Sequence, residues 1–223
     1  AFRVFLDGLP KDKAEKCHFI LHTEPRSEHG TDLEAVVEHL FGKDYPNNIT
    51  FSTTKYPQDQ LNLLYNCADA QILLTSNEGW GLTLTESLLV GNPIIANVTG
   101  GMQDQRGTYK KHGEWAFPVY PTSRSAQGSI PTPYIFDDRC AFEDAAEQIR
   151  AVYDLGPTER KAKGLKGMEW ALSDEAGFTT EHQAERVMEA FNTLFDTWEG
   201  RETFDITNAT EFTGRHLNHK LIY

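Results

Sequence analysis

Short apolar runs take turns with amphipathic helical stripes along the first half of this chain, and that alternation limits the fold more than any other feature. "AFRVFLDGL" carries Phe2, Phe5, Leu6 and Leu9 at helical spacing. "CHFILHT" is a short apolar run of the kind that forms a buried strand. Asp32 stands where it would cap "LEAVVEHLF", whose Leu33, Val36, Val37, Leu40 and Phe41 form one stripe. The pattern then reads strand ("NITFST"), helix (Gln58 to Ala68), strand ("AQILLTS"), a Gly-Trp-Gly turn and a helix to Val90. Gly91 suits a left-handed cap and Pro93 forbids continuation. "PIIANV" and "WAFPV" are two further strands. Strand and helix at this spacing make βαβ units, so the expected fold is α/β, a Rossmann-like, doubly wound parallel sheet with a helical C-terminal segment.

The expected domains are a Rossmann-like ligand-binding domain over 1–153, helices packing on it over 154–200, and an irregular tail over 201–223. A doubly wound domain ordinarily opens with a strand. This chain opens within a helix, so the reading is that it lacks the first strand, the other option being a sheet built without one. Residues 121–136, "PTSRSAQGSIPTPYIF", are rich in proline and serine and read as a surface loop, with a lid as the other option.

At 223 residues the chain can bury a sizeable core, and its 39% hydrophobic and 24% charged content is that of a globular protein. The formal net charge of −12 argues against nucleic acid as a partner. No apolar run is long enough for a membrane span. Cys17, Cys67 and Cys140 are odd in number and widely spaced, which reads as reduced core thiols rather than a disulfide framework or zinc site. Three N-x-T triplets, at Asn48, Asn97 and Asn208, carry no further sign of secretion.

The chemistry concentrates in "NEGWGLTLTESLLVGNP". Glu78 and Glu86 flank a glycine-rich turn that opens a helix, with seven residues between them. In open α/β sheets the ligand sits beyond the carboxyl ends of the strands, which is where this turn falls. Gly79 and Gly81 let the backbone turn sharply and approach a ligand. The N–H groups of Leu82 and Thr83 open the helix at the positive end of its dipole, a place for a diphosphate. Glu86 lies on the same helix face one turn in, suited to the vicinal hydroxyls of a ribose. Glu78, across the turn, can accept hydroxyls from whatever the diphosphate carries. A diphosphate between a ribose and a second polyol is a sugar nucleotide. The same spacing also suits two ordinary surface acids. A dehydrogenase fingerprint fits less well, because "GWGLTL" lacks the third glycine and comes late among the strands.

"YNCADAQILLTSNEGWGLTLTESLLVGNPIIANVTGG" resembles the C-terminal, donor-binding domain of retaining glycosyltransferases with the two-domain GT-B architecture, in the group that carries two glutamates with seven residues between them. The likeness is close from Leu61 to Gly101 and follows element order from Phe2 to Tyr153. It implies that Glu78, the candidate catalytic residue, meets hydroxyls of the transferred hexose near the reacting carbon. It implies that Gly79, Trp80 and Gly81 shape that pocket through backbone groups, that Leu82 and Thr83 hold the diphosphate, and that Glu86 holds the ribose. Thr54, Lys55 and Tyr56, in the loop after their strand, would face the base. "VTGGMQDQ" would close the switch region of the sheet or serve as a plain glycine turn. Trp80 replaces the commoner Phe of the motif.

Two departures stand out. The Arg–Lys pair that clamps the diphosphate in such domains has no match, and the acceptor-binding N-terminal domain is absent from this chain. The resemblance implies no cofactor and no metal, the sugar nucleotide being substrate. The expected location is cytoplasmic, with a peripheral membrane place for the full-length enzyme left open, and self-association is expected through the face that meets the acceptor domain. Two other functions remain: a non-catalytic sugar-nucleotide-binding module acting with a partner chain, and a sugar-nucleotide epimerase of similar architecture. His22 reads as a satisfied structural histidine, with a place facing the cleft as the other reading.

Overall fold

The computed structural model of the chain describes residues 1–28, 30–42, 48–108, 111–128, 130–131 and 134–200. The tail expected over 201–223 lies outside the described residues. The chain divides into two compact units, Ala1–Gln183 and Ala184–Tyr223.

The first unit begins with two short helices, α1 (Phe2–Asp7) and α2 (Lys11–Ala14), followed by β1 (Phe19–His22), α3 (Leu33–Phe41), β2 (Ile49–Ser52) and α4 (Gln58–Cys67). Then come β3 (Gln71–Leu73), α5 (Leu82–Leu89), β4 (Ile94–Asn97) and a 3₁₀ helix, Gly100–Arg106. A small antiparallel pair, β5 (Gly107–Thr108) and β6 (Lys111–His112), leads into β7 (Ala116–Val119). After β7 come β8 (Ser123–Gln127), β9 (Ile135–Arg139), α6 (Phe142–Asp154) and α7 (Gly156–Ala171). The last helix, α8 (Thr180–Thr197), starts in the first unit and supplies most of the described part of the second. Within that second unit, the rings of Phe191 and Phe195 stack at 6.4 Å, one turn apart on the helix.

Local signals act where the sequence places them. The Asp32 carboxylate accepts from the Ala35 N–H at 3.0 Å and caps α3. That bond, aided by Arg26, holds the Asp32 carboxyl below the usual carboxylate range. Gly91 closes α5 at φ 74°.

The parallel strands form two hydrogen-bonded sets. β1 pairs with β2 in register from Phe19 beside Ile49 to His22 beside Ser52. β4 lies between β3 and β7, parallel to both. Among the described residues no hydrogen-bonded pairing joins the two sets.

β4 is buried along its whole length, as a central parallel strand covered on both faces must be. Ile94 and Ala96 pack on one face with Leu84 and Leu88 of α5, Met102, Trp115 and Ala171 of α7. Ile95 points the other way, into a cluster with Val119 and with Ala145 and Val152 of α6. The result is three layers, α5 and α7, the sheet, and α6. Leu84 and Leu88 are fully buried, and each such side chain stabilises by about 1.5–3 kcal/mol. A third cluster joins α1 to α6 through Phe5, Leu6 and Ala146, with Tyr153 edge-on to Phe5 at 5.6 Å.

Two expectations change. Within residues 121–136, the described stretches 123–127 and 135–136 are strand rather than irregular loop. β8 and β9 pair antiparallel, Ser123 beside Arg139 through Gln127 beside Ile135. Their polar sequence hides this, because the pairing rests on backbone bonds and on Arg124, which bonds Asp138 at 3.0 Å and lies over the Phe136 ring. Cys67 is exposed rather than a core thiol. Two of the N-x-T asparagines are structural. Asn48 is buried and donates to the carbonyls of Ala14 and Cys17. Asn97 is buried at the end of β4.

Candidate functional site

The carboxyl ends of β3 and β4 converge on the turn from Asn77 to Gly81, and α5 starts there. Gly81 is the residue before the helix, with φ 86° and ψ 63°, a left-handed conformation that a side chain would strain. Leu82 and Thr83 follow as the first helical residues, both exposed, Leu82 at 70%. The first bond that closes on the turn runs from the Leu84 N–H to the Gly81 carbonyl at 3.0 Å. The N–H groups of Leu82 and Thr83 precede it, at the positive end of the helix.

Behind the turn stands a residue that sequence reasoning missed. Gln105, wholly buried in the 3₁₀ helix, donates through Nε2 to the carbonyls of Trp80 at 2.6 Å and Gly81 at 3.2 Å. Its Oε1 accepts from the Thr85 hydroxyl at 2.9 Å, and that hydroxyl accepts from the Trp80 indole N–H at 2.8 Å. The circuit satisfies every polar atom of the Gln105 amide and fixes the turn to the first turn of α5. The signal available in the sequence was the second of two glutamines behind "TGGM", too common a residue to single out.

The glycines of "VTGG" permit this packing. Gly100 has φ 49°, and a Cβ there would run into the Glu78 carbonyl. The Gly101 N–H donates to that carbonyl at 3.3 Å. Trp80 therefore turns inward. Its ring meets Phe178 edge-on at 5.1 Å, and Phe178 in turn meets Trp170, which stacks on Trp115 at 5.0 Å. Gly79 is exposed and Glu78 is half-buried at the lip of the turn.

Glu86 is exposed on α5, and its Oε2 accepts from the Tyr65 hydroxyl of α4 at 2.6 Å. Burial, with Glu86 adding to it, pushes the Tyr65 phenol well above its ordinary range, so it stays protonated and donates. Tyr65 was not singled out in the sequence.

The second strand set carries the other candidates. Thr54 and Lys55 are exposed in the loop beyond β2, and Tyr56 is half-buried. Tyr56 stacks on His22 at 5.5 Å, and His22 Nδ1 lies 3.0 Å from the Ser52 hydroxyl. His22 is thus an exposed residue at the carboxyl end of β1, beside the loop. The structure gives Glu78 through Glu86 one frame and places Thr54, Lys55 and Tyr56 in the loop that follows the separately paired β1 and β2.

The β8–β9 hairpin is anchored at this same end of the sheet. The Asp138 N–H donates to the Ser76 carbonyl at 2.8 Å, and its carboxylate accepts from the Thr99 hydroxyl at 2.9 Å. Asn97 Nδ2 joins them, donating to the carbonyls of Thr75 and Asp138 at 2.9 and 2.7 Å. Among the described residues no group of three or more His, Cys, Asp or Glu side chains is placed to hold a metal ion, and no helix is long and apolar enough to cross a membrane.

Comparison with known proteins places this geometry. Residues 30–125 match the model of the family described as glycosyl transferases group 1. A comparison with curated proteins gave no match. Among solved structures, the sucrose-phosphate synthase of Thermosynechococcus elongatus is 20% identical, with a TM-score of 0.58 over 80% of this chain and 38% of its own. A glycosyltransferase from Rickettsia africae is 16% identical, TM-score 0.60, over 88% of this chain and 45% of its own. Anabaena HepE, solved in complex with UDP, is 18% identical, TM-score 0.56, over 86% and 44%. The chain thus spans less than half the length of these structures, whose likeness shows the fold. The glycine-lined turn at the head of α5 lies inside residues 30–125, the segment similar to the glycosyl transferases group 1 family.

Proposed function

We propose that this chain is the donor-binding half of a retaining glycosyltransferase, one that moves a hexose from a sugar nucleotide to an acceptor hydroxyl. The observation that carries the reading is the frame around α5: Glu78, the free helix N-terminus at Leu82 and Thr83, and Glu86 stand in order on one buried support, inside the segment that matches the family. The diphosphate lies on the N–H groups of Leu82 and Thr83 and the ribose on Glu86. The hexose lies against Glu78 and the backbone of Gly79, Trp80 and Gly81, and the base near Thr54, Lys55 and Tyr56. The leaving diphosphate takes the acceptor proton on the face from which it departs, so configuration is retained. The helix N–H groups stabilise the charge that develops on it.

The acceptor side comes from chain outside these residues, a reading supported by the 38–45% share of the related structures that is covered. The division of the parallel strands into β1–β2 and β3–β4–β7 supports a further strand between them. The sugar nucleotide is substrate, no cofactor or metal enters, and the enzyme works in the cytoplasm.

Calorimetry with nucleoside diphosphates tests the reading. Glu86→Ala should weaken binding by ~1–3 kcal/mol, the range for a lost charged hydrogen bond. Glu78→Gln should leave that affinity nearly intact while sharply lowering turnover in the enzyme with its acceptor domain. Unchanged affinity in a folded Glu86→Ala protein removes Glu86 from the site.

A further inference from the structure

We propose that Tyr65 is a positioning residue that sets the ribose selectivity of the site by holding Glu86 in one orientation. This rests on the reading of Glu86 as the ribose acceptor. Tyr65 holds α5 at two points, near its middle and just past its C-terminal end. Its carbonyl accepts from Asn92 Nδ2 at 2.7 Å, and Asn92 is buried just beyond the end of α5. Its phenol reaches Glu86, near the middle of the same helix, at 2.6 Å. A half-buried tyrosine fixed through its backbone thus grips an exposed carboxylate on the neighbouring helix. The bond is short and charge-assisted. It occupies one lone pair of Oε2, leaving Oε1 and the other lone pair of Oε2 for two neighbouring hydroxyls. An unheld glutamate on a helix surface samples several rotamers and must be ordered when a ligand binds. Tyr65 removes that cost beforehand, and only ligands that use Glu86 gain from it.

The test compares one nucleotide in two forms. The tightest binder among uridine, adenosine and guanosine diphosphate is measured by calorimetry beside its 2′,3′-dideoxy counterpart. The proteins are the parent chain, Tyr65→Phe, Glu86→Ala and the double variant. Tyr65→Phe deletes one oxygen and should melt as cooperatively as the parent. It should bind the ribonucleotide about two- to tenfold more weakly, the range for ordering one long side chain. The dideoxy form should bind it unchanged, and adding Tyr65→Phe to Glu86→Ala should change nothing further.

If Glu86→Ala weakens the ribonucleotide selectively and Tyr65→Phe does not, the positioning role falls while Glu86 keeps its place. Equal weakening of both nucleotides by Tyr65→Phe would mean a general structural effect and would also overturn the proposal. If Glu86→Ala itself fails to distinguish ribose from dideoxyribose, the reading of Glu86 falls, and the role of Tyr65 with it. No binding of any of the three diphosphates by the parent chain overturns both.

Discussion

The turn at the head of α5 and the lip formed by β1 and β2 each lie at the carboxyl ends of their own parallel strands but are built differently. The turn rests on a strand buried at every residue and on a glutamine whose amide is fully bonded within the protein. The lip rests on β1, whose residues alternate between half-buried and exposed with Ile20 at 39% exposure, and on β2, buried only at Ile49; its side-chain contacts are those among His22, Ser52 and Tyr56. One region is set before any ligand arrives, and the other is open to being set by one. Under the proposed function, the turn takes the diphosphate, which is common to all nucleoside diphosphate sugars, and a rigid cradle would serve it. The lip would face the base, which varies, and a surface carried by few contacts would accommodate that change more readily.

The largest expected effect comes from breaking the rigid side at Gly100. Gly100→Val puts a β-branched residue at φ 49° against the Glu78 carbonyl, so the backbone must shift. A loss of about 4 kcal/mol of stability or more is expected, together with loss of nucleotide binding, by denaturant melts and calorimetry. A smaller effect follows from Gln105→Leu, which nearly keeps the volume but leaves the carbonyls of Trp80 and Gly81 without their buried donor. We expect a loss of about 2–3 kcal/mol in urea melts, the range for unsatisfied buried groups. The smallest comes from the lip. Ser52→Ala removes the partner of His22 and should cost under about 0.5 kcal/mol, since surface contacts of this kind contribute little. A loss from Ser52→Ala as large as that from Gln105→Leu would erase the contrast between the two regions.

The layers were legible because each apolar run and each stripe had its own period, and Asp32 and Gly91 carried their boundaries openly. The hairpin was not, because "SRSAQ" pairs through its backbone and shows no alternation of apolar residues. In the candidate site, Glu78 and Glu86 stood out by charge and spacing, and Gly81 by the turn it had to make. Gln105 and Tyr65 stayed hidden because their roles are long-range. Gln105 serves carbonyls about two dozen residues back, and Tyr65 serves a carboxylate 21 residues ahead. Neither separation leaves a local pattern, and polar residues of both kinds are common on surfaces.

The anchoring of the hairpin also has a consequence for how the chain is made. Asn97 donates to the Asp138 carbonyl 41 residues further along. Its neighbour Thr99 bonds the same residue's carboxylate across 39 residues. When β4 leaves the ribosome, neither partner has yet been synthesised. At ordinary synthesis rates the wait for those 41 residues is about two to eight seconds. Helix formation, at about a microsecond, is far faster than that. The central strand can therefore collapse onto α5 while the polar end of β4 is still wet, and the floor beneath Ser76 closes only after Asp138 emerges. Slow codons between β4 and β9 would lengthen that interval without altering the finished molecule.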